Sequence, residues 1–326
     1  MRHESVEMLP KVVVIGGGTG LSVMLRGLKD KPLDITAIVT VADDGGSSGI
    51  LRSELQIPPP GDIRNVLIAL ADVEPVLSRV LQYRFSSGNG LAGHNLGNLI
   101  LAAMVDITGD FATAVKELSK VLAVRGRVLP AAGQAIVLKA ETGDGRIIVG
   151  ESNIPKARQS IKRVWIEPSD VKPLDEAIEA IREADAIVIG PGSLFTSIMP
   201  NLLVPQMSRT IVESAAMKVF ICNVMTQPGE TDGFSVSDHL EAIRRHIGHS
   251  LFDYVIVNNG EIPAQVLERY AEKGSAAVGL DLDRVREMGY DVITDRLVKY
   301  HTYLRHDADK LSRRIHELVD LWMRKR

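Results

Sequence analysis

The sequence predicts an α/β protein built on a mostly parallel β-sheet, and three observations support this prediction. Several short runs of aliphatic and β-branched residues carry no charge, which is typical of strands buried on both faces. Amphipathic helical segments fill the intervals between these runs. Small or polar residues follow each run directly, at the edge of the sheet where α/β proteins bind ligands. We therefore expect a ligand site at the carboxyl ends of the strands.

The predicted strands are the runs in which apolar residues follow one another almost without interruption. They are residues 12–15, 35–41, 186–189, 219–222 and 252–257. A β-hairpin is also predicted, because residues 135–140 and 147–149 flank the turn Gly143-Asp144-Gly145.

The predicted helices lie between these strands and carry apolar residues at helical spacing. They are residues 21–28, 65–85, 97–105, 111–122, 173–182 and the charged stretch from Asp281 onward. No internal repeat or low-complexity linker divides the chain, so residues 1–326 are predicted to form one domain. Within it we expect a mainly helical excursion at residues 52–130 and a C-terminal helical region, residues 260–326, packed on the core.

Composition and charge exclude several classes of protein. The chain is 45% hydrophobic but only 4% aromatic, so aliphatic side chains must fill the core. Its formal charge of −3 does not indicate a basic surface that would bind nucleic acid. The single cysteine, Cys222, excludes an intramolecular disulfide and lies in an apolar run that predicts a buried, unreactive thiol. No apolar run is long enough to span a membrane, and the N-terminus lacks a signal-peptide core. We expect a cytoplasmic protein with no nucleic-acid partner and no membrane insertion.

Residues 16–20, with the sequence Gly-Gly-Gly-Thr-Gly, turn the chain between the first predicted strand and a helix. This order directs free backbone N–H groups and a helix N-terminus at a phosphate group. The dinucleotide fingerprint is absent because Leu21 or Val23 replaces its third glycine, and no Walker A Lys-Ser or Lys-Thr pair follows. We expect an anionic ligand, a nucleotide, with a purely structural turn as the alternative.

Two adjacent carboxylates, Asp43 and Asp44, follow the second predicted strand and precede a flexible Gly-Gly-Ser-Ser-Gly stretch. An acid at this position binds a ribose hydroxyl in dinucleotide-binding proteins. Alternatively, the two carboxylates hold Mg²⁺ beside a phosphate, as is usual when magnesium serves a nucleotide. The third alternative is a solvated Asp-Gly turn.

Two further helix starts supply candidate ligand residues. Asp62 follows Pro58-Pro59-Pro60-Gly61 as a predicted N-cap, and Arg64 lies in a first turn where a cation opposes the helix dipole unless an anion is near. We therefore expect Arg64 to contact the ligand. His94, with Asn98 beyond it, is expected either to bind a phosphate or sugar hydroxyl or to act as an acid or base, with a structural histidine as the alternative.

The loop after the predicted strand at 186–189 is a second candidate anion site. Gly192 permits close backbone approach, and Ser193 provides an N–H and a predicted N-cap hydroxyl. Asn223 begins another polar segment after the following strand, in which Glu230 and Asp232 are candidates for sugar or metal contacts. Two such loops after two strands suit a diphosphate or the two ends of a nucleotide-sugar. Asp238 and His239 are interpreted as helix N-terminal residues.

Taken in this order, the motifs at residues 16–20, 42–49, 58–65, 93–98, 189–197 and 223–233 resemble those of one family over residues 11–312. The chain is similar to the YvcK branch of the YvcK/CofD-like family, the gluconeogenesis factors. The resemblance implies a Rossmann-like three-layer α/β/α fold with a smaller appended region.

The family's two branches imply different functions. Members of the CofD branch use Mg²⁺ and transfer a 2-phospho-L-lactyl group from a nucleotide diphosphate donor to the deazaflavin precursor Fo. Members of the YvcK branch are cytoplasmic factors that bind UDP-sugars such as UDP-N-acetylglucosamine and support cell shape and growth on gluconeogenic carbon sources.

Resemblance also implies roles for individual residues. Tyr270 and Arg305 lie in contexts that match the family's nucleotide-sugar contacts, although residues 274–277 depart from the usual Lys-rich stretch nearby. The positions that match its nucleotide and phosphate surface are Gly17, Gly18, Thr19, Asp43, Asp44, Asn98 and Gly192.

The sequence and the resemblance together favour a nucleotide-sugar sensor that needs no catalytic group. The first alternative is a CofD-like transferase, in which His94, Asp43 or Asp44 activates an acceptor hydroxyl and the nucleotide is GDP. The second is an NAD-binding protein. We also expect a homodimer and protein partners in cell-envelope synthesis.

Overall fold

The structure, a computed structural model, describes residues 8–300 and 304–325. We number the strands of this part of the chain in sequence order. They are β1 (Lys11–Gly16), β2 (Asp34–Val39), β3 (Arg127–Pro130), β4 (Val137–Thr142), β5 (Ile147–Val149), β6 (Ile161–Glu167), β7 (Ala186–Ile189), β8 (Met217–Ile221), β9 (Tyr254–Asn258), β10 (Asp291–Asp295), β11 (Val298–Tyr300) and β12 (Leu304–His306).

The helices are numbered in the same way, and short 3₁₀ turns follow β5. The helices are α1 (Gly18–Leu28), α2 (Gly46–Leu55), α3 (Gly61–Leu70), α4 (Pro75–Gln82), α5 (Leu96–Thr108), α6 (Phe111–Val121), α7 (Asp175–Glu183), α8 (Met199–Leu202), α9 (Met207–Glu213), α10 (Val236–Ile247), α11 (Ala264–Ala271), α12 (Leu282–Glu287) and α13 (Ala308–Lys325).

Seven strands form one sheet in the order β10-β9-β8-β7-β1-β2-β3, and every neighbouring pair is parallel. Residues 12–15 of β1 are between 0% and 2% exposed, as expected for a strand with neighbours on both edges and helices on both faces. The predicted α/β, Rossmann-like fold with a mostly parallel main sheet is confirmed. Because β1 pairs with β2 on one side and β7 on the other, a crevice opens beyond its carboxyl end.

A smaller antiparallel sheet, in the order β5-β4-β6, is appended to this core. The predicted hairpin is confirmed, since β4 pairs with β5 across the turn at residues 143–145. Its third strand, β6, was not predicted. A separate two-stranded sheet joins β11 to β12.

Helices α2 to α6 occupy the interval between β2 and β3, where the sequence predicts a helical excursion. Helix α5 packs against α6. Across the described residues, no single helix combines the length and apolarity needed to cross a membrane. Only α5 and α6 together, bent by 118°, meet that criterion.

Two element predictions are wrong. The helix predicted at residues 65–85 is broken into α3 and α4, because Ala71 leaves the helix and forms a bridge with Val124. The stretch from Asp281 onward is not helical throughout, since β10 joins the edge of the main sheet beside β9. The charged ends of β10, Asp291 and Asp295, hid this edge strand from a search for uninterrupted apolar runs.

Candidate functional site

A cavity of about 270 Å³ lies at the carboxyl ends of β1, β7 and β8. Its wall combines the loops that follow these three strands with α11 and β12 from the C-terminal part of the chain. The lining residues are 17–20, Val23, 191–193, Ser197, 223–225, Gln227, Tyr270 and 304–306. The crevice position is the one at which open α/β sheets bind ligands.

In the glycine loop, residues 16–20, two glycines pack so closely on their neighbours that side chains do not fit at these positions. A Cβ atom on Gly20 would lie 2.7 Å from the carbonyl oxygen of Pro191, and one on Gly17 would lie 2.6 Å from Thr40 Cγ2. Helix α1 begins at Gly18 with no acidic residue in its first turn. The first N–H groups of a helix have no acceptor within the helix, so this end favours an anion.

The second loop, residues 190–193, is held by side chains that follow β8. Asn223 Nδ2 donates to the Gly192 carbonyl at 2.7 Å, and Gln227 Nε2 donates to Ser193 Oγ at 2.6 Å. The predicted N-cap role of the Ser193 hydroxyl is wrong, because it makes no capping bond and accepts from Gln227 instead. These two bonds fix the shape of the cavity floor between β7 and β8.

Tyr270 and β12 form the C-terminal part of the cavity wall, which we call the cover. The hydroxyl of Tyr270 accepts from the Leu304 N–H at 2.9 Å and donates to the Leu304 carbonyl at 3.3 Å. Arg305, the next residue, is exposed and lies on the cavity wall. A cation and a helix N-terminus therefore face one small space.

Asp62 connects the glycine loop to a group of carboxylates. Its Oδ2 accepts the Gly18 N–H at 2.8 Å, so the prediction that Asp62 caps its own helix is wrong: Pro60 holds that position. Asp62 is 9% exposed, and burial followed by repulsion from Asp43 raises its pKa to about 6. The carboxylate thus fixes the glycine loop at an electrostatic cost.

Two more carboxylates are shielded from water, since Glu230 is buried and Glu151 is half-buried. Burial is the main cause that raises the pKa of Glu230 to about 7, and Thr196 Oγ1 donates to its carboxylate at 3.1 Å. Burial and then repulsion from Asp62 and other acids raise the pKa of Glu151 well above its ordinary value. Both side chains therefore hold protons more firmly than exposed glutamates do.

The remaining candidates form a polar cluster beside these acids. Arg64 Nη1 donates to Asn98 Oδ1 at 2.9 Å, and Asn98 Nδ2 donates to Ser48 Oγ at 3.4 Å. His94 is 7% exposed, and its Nδ1 lies 3.3 Å from Ser47 Oγ. Burial, and then the nearby Arg84, lower the pKa of Arg64.

Asp43 and Asp44 were the predicted magnesium ligands. One oxygen of each already accepts a backbone N–H, from Gly45 at 2.9 Å and from Ser152 at 2.8 Å. Within the described residues, no group of three or more His, Cys, Asp or Glu side chains is arranged to hold a metal. Mg²⁺ beside a nucleotide needs only one or two carboxylates in addition to phosphates. Asp43 and Asp44 supply that smaller number of carboxylates, and magnesium binding stays a prediction.

The structure divides the predicted site residues into two neighbouring groups. One group lies beyond Asp62 and is not among the described lining residues of the cavity. It consists of Asp43, Asp44, Arg64, His94 and Asn98. The predicted residues on the cavity wall are Gly17, Gly18, Thr19, Gly192, Ser193, Asn223, Tyr270 and Arg305.

Sequence reasoning missed two polar lining residues, Gln227 and His306. Gln227 lies within the polar segment that begins at Asn223, which was a usable signal. His306 directly follows Arg305 and carried no signal of its own. Elsewhere, Asp238 and His239 lie in the first turn of α10, as predicted, and Asp238 also completes a capping box with Ser235. Cys222 is buried, as predicted.

Known proteins match the chain over almost its full length. The family described as 2-phospho-L-lactate transferase CofD matches residues 12–298. A gluconeogenesis factor of Bacillus subtilis is 56% identical over 95% of this chain and 98% of that protein. A gluconeogenesis factor of Halalkalibacterium halodurans is 57% identical over 94% of this chain and 95% of that protein.

A solved structure is also similar to this chain in fold and sequence. The crystal structure of a UPF0052 family member from Bacillus halodurans has a TM-score of 0.92 and 56% identity to this chain, over 94% of this chain and 98% of that one. The matches to these relatives and to the solved structure therefore extend through the cavity and its C-terminal wall, whereas the family match ends before β12. This chain belongs to the CofD family, in the branch of the gluconeogenesis factors, YvcK or UPF0052.

Proposed function

We propose that this protein is a regulatory factor that binds a nucleotide-sugar of the UDP-N-acetylglucosamine type and supports growth on gluconeogenic carbon sources and cell shape. The cavity is the single observation that carries the proposal. It lies at the carboxyl ends of three parallel strands and combines a helix N-terminus with the cation of Arg305. That combination suits the negative charge of a diphosphate.

The regulatory role is favoured by how the cavity is built. Its floor belongs to the parallel sheet, whereas its cover comes from Tyr270 and β12, more than 240 residues along the chain from the glycine loop. A ligand that contacts both parts stabilises the arrangement in which they are joined, which is the requirement for a ligand-dependent change of population. The relatives' name, gluconeogenesis factor, supports the part of the proposal that concerns growth on gluconeogenic carbon sources.

Calorimetry with UDP-N-acetylglucosamine, GDP and NAD tests the proposal. We expect the UDP-sugar to bind and to be recovered unchanged. The variant Arg305→Ala should bind it about tenfold more weakly, because a hydrogen bond to a charged group is lost. Arg286→Ala is the matched control, since Arg286 is exposed, pairs with Asp283 and lies outside the cavity. Binding of NAD but not of the UDP-sugar would contradict the proposal.

A CofD-like transferase is the second candidate, and the buried acids favour it. Asp62 and Glu230, with pKa values of about 6 and about 7, are suited to transfer protons near neutral pH. In that case a nucleotide diphosphate donor should be consumed in the presence of an acceptor alcohol, and Glu230→Gln should stop the reaction while leaving donor binding intact. Recovery of intact donor in the wild-type protein rejects this candidate.

A further inference from the structure

Two buried side-chain atoms on residues of the cavity wall have no hydrogen-bond partner among the described residues. They are Oε1 of Gln227 and Nε2 of His306. A buried polar atom without a partner has lost its hydrogen bonds to water and gained none in exchange, which is unfavourable. Such atoms are uncommon in folded proteins, and two of them beside one cavity call for a ligand that satisfies both.

The surroundings of Gln227 determine what its free atom can do. Its Nε2 donates to Ser193 Oγ at 2.6 Å, which orients the amide and leaves the carbonyl oxygen as an acceptor. The backbone is also held, because the Gln227 N–H donates to Thr231 Oγ1 at 2.9 Å. The position of the acceptor is therefore set before any ligand binds.

His306 presents an acceptor for a different reason. Its ring bonds the backbone carbonyl of Cys222. Since Nε2 has no partner, the donor is Nδ1–H, and the neutral ring then carries its lone pair on Nε2. Burial lowers the pKa of His306 to about 4, so the ring stays neutral at pH 7.

The lone pairs of these two acceptors repel phosphate oxygens and attract hydroxyl or amide N–H groups. They also lie at a defined end of the cavity. Gln227 and the His306 partner Cys222 follow β8, whereas the glycine loop follows β1, and β7 separates these strands in the sheet. The cavity thus has a donor-rich end at β1 and an acceptor end at β8.

We propose that Gln227 and His306 form an acceptor subsite that binds the hydroxyl or amide N–H donors of the ligand's sugar, with the diphosphate on the glycine loop. This assignment rests on the proposed function and adds the orientation of the ligand. It makes both residues determinants of specificity for a nucleotide that carries a sugar over one that does not.

The test compares two ligands, UDP-N-acetylglucosamine and UDP, by calorimetry at pH 7.5. Gln227→Met and His306→Phe each remove one acceptor at similar side-chain size, together with the bond that the same side chain donates to Ser193 Oγ or to the Cys222 carbonyl. The affinity for UDP measures the effect of losing that second bond on the rest of the cavity. We expect each variant to lose about tenfold in affinity for the UDP-sugar and to keep UDP affinity within about twofold of wild type. Gln82→Met makes the same substitution at an exposed residue outside this cavity and should alter neither affinity.

UDP binding reports whether each variant is folded, so a loss confined to the UDP-sugar supports the subsite. An equal loss for both ligands, or no loss for either, overturns the subsite and leaves the proposed function standing. If wild-type protein binds neither ligand, the proposed function fails and the subsite with it.

Discussion

At the scale of single residues, Asp62 links the glycine loop to the neighbouring acids. Its carboxylate accepts the N–H of Gly18 at 2.8 Å, the same N–H group that a phosphate would seek at this helix end. Burial and the nearby Asp43 make its charge unfavourable, which raises its pKa to about 6. Asp62 therefore holds the loop in shape while weakening its preference for anions.

This shifted pKa predicts a pH-dependent stability. The folded-state pKa of about 6 exceeds the ordinary 3.8, so the contribution of Asp62 is present in full below pH 3.8 and is lost as pH rises to about 6. Asp62→Asn does not titrate. Wild type therefore loses stability across this interval while Asp62→Asn does not. The free energy of unfolding of Asp62→Asn minus that of wild type should rise by up to roughly 3 kcal/mol.

Urea unfolding at pH 4 and pH 7.5 measures the change in stability. Asp283→Asn is the control, because the Asp283 side chain is 95% exposed, and it should show no such trend. A difference between Asp62→Asn and wild type that is the same at both pH values would contradict the prediction.

At the scale of elements, the fit between α1 and the loop after β7 determines the cavity. Gly20 in the first turn of α1 leaves room for the Pro191 carbonyl, which a Cβ atom would approach to 2.7 Å. Gly16, at the end of β1, has more space: a Cβ atom there would lie 3.7 Å from the Leu21 side chain. A side chain at Gly20 would therefore disturb the packing more than a side chain at Gly16.

The pair Gly20→Ala and Gly16→Ala tests this contact. We expect Gly20→Ala to lower the free energy of unfolding by about 1–3 kcal/mol, because the Pro191 backbone must move. Gly16→Ala should cost less than about 1 kcal/mol, since its new methyl group makes an ordinary contact. Thermal unfolding measures stability, and calorimetry should show weaker UDP-sugar binding in Gly20→Ala alone. Equal effects of the two substitutions would contradict the close fit.

At the scale of the whole molecule, the end of the chain returns to cover a site built near its start. Helix α13 packs on α1, and Leu311, Ile315 and Val319 are fully buried. The Tyr270 hydroxyl then joins α11 to β12 above the cavity. One side chain thus couples two C-terminal elements to the ligand site.

Tyr270→Phe removes both hydrogen bonds of the hydroxyl to Leu304 and should loosen the cover. We expect faster hydrogen exchange at residues 304–306 and about tenfold weaker UDP-sugar binding. In the wild-type protein, the UDP-sugar should slow exchange at residues 264–271 and 304–306. Tyr83→Phe is the control, because Tyr83 is half exposed and lies outside the cavity. Unchanged exchange in Tyr270→Phe would show that the hydroxyl does not hold the cover.

The apolar runs and the glycines that follow them predicted the central strands and turns, because strands and turns are formed by residues that are neighbours in the sequence. The uninterrupted apolar runs at residues 12–15 and 186–189 became β1 and β7, and the glycines after them became the cavity floor. Strand β10 was missed because its flanking aspartates break the apolar pattern at the sheet edge. Tyr270 and Arg305 were predicted from family resemblance and not from their local pattern.

The sequence by itself determined a parallel α/β fold and predicted that a cavity for a ligand lies at the carboxyl ends of its strands, because strand burial and turn chemistry depend on neighbouring residues. Only the tertiary structure decided that Asp62 holds Gly18, that Tyr270 meets Leu304, and that the acceptors of Gln227 and His306 are left unpaired. Each of these depends on the order of strands in the sheet and on the packing of distant segments. No short stretch of chain encodes the strand order or the packing of distant segments.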